Sequence, residues 1–321
     1  MKACRICDNA ADNKSHVARE MMFGTRDKFA YMECAQCGCV QIDEVPSNLS
    51  KYYPGQYYSF QGGRSDELRE NIFRSLIRHR RAEYCLYQKG WIGKLLARKL
   101  GVPDYYQWLR KGKVRFDSRI LEVGCGTGKL LTVLSREGFT HLTGVDPFIE
   151  KDIFYESGVR VLKKEMSQIE ETFDFIMMNH AFEHMPDSRS AMTEIYRLLK
   201  PNRYALIRIP VASSFAWRKY GVNWVQLDPP RHLFLHTVKS MELLAKRTGF
   251  KIADVEHDSH EFQFWGSEQY LRDMPLTDQK SLWVNPGSDF FSKDQIQSFK
   301  DMAAEVNRSK DGDQACFYLY K

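Results

Sequence analysis

One stretch, RILEVGCGTGKLL at residues 119–131, constrains this chain more than any other. A short apolar run closes on a glycine, two more glycines follow at alternate positions, and apolar residues then resume at helical spacing. Glycine admits φ > 0 and puts no Cβ between the backbone and a ligand. In open α/β sheets, ligands bind in the crevice at the carboxyl ends of the strands. The stretch therefore reads as strand, ligand-facing elbow and helix start. The surrounding sequence alternates in the same way, the mark of a parallel α/β sheet. Strands are expected at 119–123, 141–145, 159–162, 173–178, 203–209 and 251–257, with a last one in QACFYLYK. Helices are expected at 128–137, 147–157, 188–200 and 237–248.

The elbow spacing is G-x-G-x-G (Gly124, Gly126, Gly128), not the G-x-G-x-x-G of pyrophosphate-binding turns. Glu122, two residues before the first glycine, would repel pyrophosphate and would suit an ammonium group. Asp146 ends the second strand, where a carboxylate can accept from both hydroxyls of a ribose. Glu165 and Met166 follow the third strand, in place to flank a base. Asn179 ends the fourth and leads into HAFEHMPD. An acid for an amino acid, an acid for a ribose and an apolar flank for a base together describe S-adenosylmethionine.

The motifs ILEVGCGTG, GVDP, FDFIMMNHAFEHMPD and LLKPNRYALIRIP resemble those of class I S-adenosylmethionine-dependent methyltransferases over residues 119–209. The segment PRHLFLHTVKSMELLAKRTGF is similar to small-molecule methyltransferases of cell-surface polysaccharide synthesis, many of which begin with paired CxxC motifs and a YYPGQYYS-like segment. The resemblance implies an α/β fold with a seven-stranded Rossmann-like sheet of order 3-2-1-4-5-7-6, the seventh strand antiparallel. It carries Glu122, Gly124, Gly126, Gly128, Asp146 and Asn179 over as cofactor-binding.

Five of the eight cysteines fall in the first 39 residues. Cys4/Cys7 and Cys34/Cys37 form two CxxC pairs separated by 26 residues, a donor set for tetrahedral zinc; Cys39 is a fifth thiol that can stand in. A four-thiolate site is closed, so its zinc would be structural. The expected organisation is a zinc ribbon over 1–45, a tyrosine-rich segment and basic helical linker over 46–116 broken at Gly90 and Gly93, and the methyltransferase domain over 117–321, with 261–313 inserted before the last strand.

Methyl transfer to a hydroxyl needs a base beside the methyl group. His232, in DPPRHLF, is the first choice, and His184, in FEHMPD, the second. His180 is a third. Arg231 is a candidate binder for substrate phosphate or carboxylate, and Tyr57 and Tyr58, clustered with Tyr52 and Tyr53, are candidates to stack on a sugar or lid the cofactor, or else pack between the zinc module and the sheet. The net charge of +6 is concentrated in residues 61–115, which carry a balance of +9. That confinement argues against nucleic acid as partner. It leaves the basic helix (Arg74, Arg78, Arg80, Arg81, Arg98, Lys99) as a solvated face, or as a surface that attracts a diphosphate-linked substrate or makes peripheral contact with an anionic membrane. The reading is methyl transfer to a nucleotide- or lipid-linked sugar; the alternative is a ribosomal or transfer RNA methyltransferase with a zinc-ribbon reader. The N-terminus lacks the apolar region of a secretory signal, so a cytoplasmic location is expected.

Overall fold

The computed structural model describes residues 2–53 and 72–321, so Tyr57 and Tyr58 lie outside the described residues. The chain begins with three short strands, β1 (Lys14–Arg19), β2 (Lys28–Glu33) and β3 (Val40–Ile42). Helices α1 (Ile72–Tyr87), α2 (Trp91–Leu100) and α3 (Tyr105–Lys111) come next. The alternating part runs β4 (Arg119–Val123), α4 (Lys129–Arg136), β5 (His141–Val145), β6 (Ile153–Phe154), β7 (Arg160–Leu162), β8 (Phe173–Asn179), α5 (Ser188–Leu198) and β9 (Leu199–Pro210). It continues with α6 (Phe215–Tyr220), β10 (Phe234–Leu235), α7 (Val238–Thr248), β11 (Lys251–His257), α8 (Phe262–Leu271), α9 (Lys293–Arg308) and β12 (Gln314–Tyr320).

The main sheet has the order β11-β12-β9-β8-β4-β5-β7-β6. Strands β7, β5, β4, β8 and β9 are parallel, and β12 runs antiparallel between β9 and β11. The sheet thus carries an eighth strand beyond the seven expected, and β6 occupies the place expected for a helix over 147–157. The physical reason is a local hairpin. Tyr155 N–H donates to the Val159 carbonyl and Gly158 closes the turn at φ 85°, while the Asp152 carboxylate accepts from Lys163 N–H and pins the segment to β7.

Side chains alternate across the sheet as period-2 geometry requires, and both faces are apolar because helices cover both. Ile120, Phe175, Met177, Leu206 and Tyr318 face one layer with Leu131 and Leu134 of α4 and Tyr106 and Leu109 of α3. Leu121, Ile176, Met178, Ile207 and Phe317 face the other, with Ile195 of α5 and Leu244 of α7. Gly93 does not break the helical linker. It sits buried inside α2, where a Cβ would come within 2.4 Å of the Arg80 carbonyl, and so it lets α2 press against α1. The break lies at Gly90.

The N-terminal strands do not form a detached unit. Strand β3 pairs with β10 of the α/β region in a four-stranded sheet, β1-β2-β3-β10. Tyr31 O–H donates to the His232 carbonyl at 2.9 Å, and Thr237 O–H donates to the Cys37 carbonyl at 2.6 Å. One apolar core runs through both parts.

Candidate active site

At the carboxyl edge of the sheet, β4 delivers Glu122 and the elbow, and the neighbouring β5 delivers Asp146. Both acids are 6% exposed. Asp146 anchors the elbow: Oδ2 accepts from Gly126 N–H and Oδ1 from Phe148 N–H, both at 2.9 Å. One lone pair on each oxygen remains for a ligand. Glu122 is different, because its Oε2 is buried with no hydrogen-bond partner among the described residues. Burial, with the Asp146 carboxylate nearby, pushes its carboxyl up to about 8. A buried carboxylate without a partner is costly unless a cation meets it.

The glycines of the elbow have a further reason to be glycines. At Gly124 (φ 71°) a Cβ would lie 2.5 Å from the Ala181 Cβ, and at Gly128 (φ 77°) one would lie 2.6 Å from Val161 Cγ2. These two positions are therefore demanded by packing within the protein, whereas Gly126 contributes its N–H to Asp146. Met166 is buried in the core and Glu165 exposed, both at the turn after β7. Asn179 Oδ1 accepts from Arg208, whose guanidinium also reaches Asp258 and His180 and stacks over Trp108. A cavity of about 650 Å³ opens beside that group, lined in part by Trp108 and Asp258.

The histidines converge. His232 is buried, its Nδ1–H donates to the Gln226 carbonyl at 2.7 Å, and burial with the nearby His184 lowers its pKa to about 4. The ring of His184 meets it edge-on at 4.8 Å, with Nδ1 held by the Arg231 carbonyl at 2.9 Å. Glu183, fully buried, lies beside them and was not singled out from sequence. Its Oε1 accepts from His180 and stands 3.9 Å from His232 Nε2, while Oε2 has no partner among the described residues. Burial alone would raise this carboxyl, but the His180 hydrogen bond and the surrounding imidazoles hold it down at about 2. The only sequence signal was its place in FEH, beside a histidine already under consideration.

Arg231 is not placed to bind substrate. It is fully buried, and its guanidinium donates to Asp228, to Glu20 and to the Tyr52 carbonyl. It ties the N-terminal module to the loop that carries His232.

In that module, Cys4, Cys7, Cys34 and Cys37 place their sulfurs within 4.8 Å of one another, with Cys4–Cys37 at 3.6 Å and Cys7–Cys34 at 3.4 Å. Ile6 N–H points at the Cys4 sulfur and Cys37 N–H at that of Cys34. Cys39 is buried outside this group, its sulfur toward the Val40 carbonyl.

A glycine elbow between two buried acids, at the carboxyl edge of a mostly parallel sheet, is the layout of an α/β domain that takes its ligand at the strand ends. The chain belongs to the methyltransferase-domain family, whose model matches residues 77–255. It is 24% identical over 188 residues to cycloartenol-C-24-methyltransferase of Arabidopsis thaliana, a match covering 52% of this chain and 55% of that one. It is 28% identical over 172 residues to the ubiquinone biosynthesis O-methyltransferase of Pseudomonas fluorescens, covering 48% of this chain and 73% of that one. The chain thus spans about half the length of the sterol methyltransferase it matches. Among solved structures, the cyclopropane synthase of Mycobacterium tuberculosis aligns with a TM-score of 0.43 at 15% identity, covering 80% of this chain and 100% of that one.

Proposed function

We propose that this chain transfers a methyl group from S-adenosylmethionine to a small-molecule acceptor, a nucleotide- or lipid-linked sugar of cell-surface polysaccharide synthesis. The observation that carries the reading is Glu122 Oε2, buried without a hydrogen-bond partner among the described residues and next to Asp146. The donor's ammonium group fits that carboxylate, and its ribose hydroxyls fit the remaining lone pairs of Asp146. When bound, the donor supplies an electrophilic methyl group. Asn179 ends β8, the neighbour of β4, and the Glu165–Met166 turn follows β7, the neighbour of β5, which supports both as lining for the donor. The sugar reading is supported by the resemblance of the CxxC pairs and the tyrosine-rich segment to polysaccharide-linked methyltransferases. Relatives named for sterol and ubiquinone chemistry agree with a small acceptor.

Glu183, His184 and His232 form the cluster at which an acceptor hydroxyl would lose its proton. Zinc belongs to the four N-terminal thiols, whose spacing and N–H···S contacts suit a closed structural site. Through β3–β10 and the Tyr31 hydrogen bond, that site braces the His232 segment. A lipid-linked acceptor would be met at the α2 surface, where exposed Trp91, Ile92 and Leu95 lie among Lys94, Arg98 and Lys99.

The test is incubation with methyl-labelled S-adenosylmethionine and either a nucleotide-sugar extract or bulk RNA. Label should enter a small molecule that gains the mass of one CH₂. Label in RNA would overturn the sugar reading, and label in neither would overturn methyl transfer.

A further inference from the structure

The Glu183–His184–His232 cluster has an electrostatic fault that its own groups do not repair. A neutral imidazole has one N–H and one lone pair. In His232 the Nδ1 proton is given to the Gln226 carbonyl, and in His184 the Nδ1 proton is given to the Arg231 carbonyl. Each ring is therefore left with an Nε2 lone pair. That of His232 stands 3.9 Å from the carboxylate oxygen Glu183 Oε1 and equally far from Asp228 Oδ2. At that distance there is no hydrogen bond, and the His232 lone pair faces the Glu183 carboxylate across a buried gap, while Asp228 Oδ2 already accepts from Arg231 Nε. The second oxygen of Glu183 is buried with no partner among the described residues. A cation bound between Glu183 and His232 would satisfy both the carboxylate oxygen and the imidazole lone pair.

One ligand atom from each of Glu183, His184 and His232 lies within 4.8 Å of the other two. Ligands at roughly 2.0–2.2 Å from a tetrahedral ion are separated by about 3.4 Å, so a small inward movement closes the set. Histidines that ligate metals hold their other ring nitrogen against a carbonyl or carboxylate, which fixes tautomer and orientation. Both rings do so here, each through a main-chain carbonyl. Glu183 is oriented from the far side by the His180 hydrogen bond, and His180 in turn accepts from Arg208. Two imidazoles and one carboxylate are a donor set for zinc, iron(II), manganese or cobalt(II), with open positions for an exogenous ligand.

We propose that Glu183, His184 and His232 bind a divalent first-row metal ion, in a site separate from the four-cysteine cluster and chemically unlike it. Binding does not depend on the methyl-transfer reading. An acceptor hydroxyl that enters the open position would be acidified by the ion, as metal-bound water is.

Cobalt(II) titration of the metal-stripped full-length chain, with metal content measured by mass spectrometry, tests this. The four thiolates give intense sulfur-to-cobalt charge-transfer absorption; the nitrogen–oxygen site gives only weak d–d bands. The wild type should take up one ion with each signature. Glu183→Gln and His184→Gln should keep the thiolate signature and bind the second ion more than about 100-fold more weakly. The half-buried His184 supplies a variant that folds if loss of the buried Glu183 carboxylate does not permit folding, and the retained thiolate band reports the fold in either. An ion with thiolate signature alone in the wild type would overturn the proposal, as would unchanged second-site binding in His184→Gln. Either result would leave S-adenosylmethionine binding and methyl transfer open to their own tests.

Discussion

Glu122 makes the sharpest prediction, because its proton distinguishes the free protein from the donor-bound one. An ordinary glutamate titrates at 4.5, whereas burial and Asp146 push Glu122 up to about 8. Between those values the folded chain holds a proton that the unfolded chain has released. Stability therefore falls as pH rises from about 4.5 to 8 and levels off above it. The contribution is about 1.4 kcal/mol per pH unit, or about 3 kcal/mol lost by pH 7. Glu122→Gln removes this term, so denaturant titrations of variant and wild type should diverge by about 1.4 kcal/mol per unit between pH 5 and 8. An ammonium group placed against Oε2 restores the ionised form. S-adenosylhomocysteine should then displace about 0.9 proton from the wild type at pH 7, read by calorimetry in buffers of different ionisation enthalpy. Glu122→Gln should show no such release and much weaker binding. Buffer-independent heats in the wild type, or equal affinity in the variant, would refute the pairing of this carboxylate with the donor's amino group.

With the Cys4–Cys7–Cys34–Cys37 cluster holding zinc as proposed, chelation or Cys34→Ser should lower the melting temperature and abolish methyl transfer. Binding of S-adenosylhomocysteine should persist, since Glu122 and Asp146 stand on β4 and β5 while the module braces the His232 segment. Glu20→Gln uncouples the buried Arg231, and breaking a buried pair by removing one charge costs about 3–5 kcal/mol; urea unfolding should show that loss. Trp91→Ser combined with Leu95→Ser should cut co-sedimentation with phosphatidylglycerol vesicles and leave methyl transfer to a soluble acceptor intact.

What the sequence disclosed about this site follows the range over which the physics acts. Glu122, the elbow and Asp146 were legible because strand, turn and helix are local, and the offset of each acid from its strand end fixes the edge it reaches. The β6 hairpin was hidden because the contact that pins it, Lys163 N–H to Asp152, joins residues 11 positions apart and leaves no periodic signal in the sequence. Gly93 read as a breaker because a helix interior is a poor place for glycine, yet the close approach of α1 outweighs that propensity. Glu183 was overshadowed by its neighbour, because nothing in FEH tells which side chain turns inward.

The role of Arg231 depends on contacts far from it in the chain. An arginine beside a histidine on a loop at the ligand edge has the chemistry of an anion binder, and within its own segment nothing contradicts that. What removes it from solvent is Glu20, 211 positions earlier, together with the Tyr52 carbonyl. A buried guanidinium is tolerable only where partners meet its donors, so its role was set by where β1 ends and not by its surroundings in the chain. The same contact explains why an N-terminal module belongs on this domain at all. It supplies the counter-charge, the Tyr31 hydroxyl and the β3 edge that hold residues 231–236 in place, and with them one of the three histidines around Glu183.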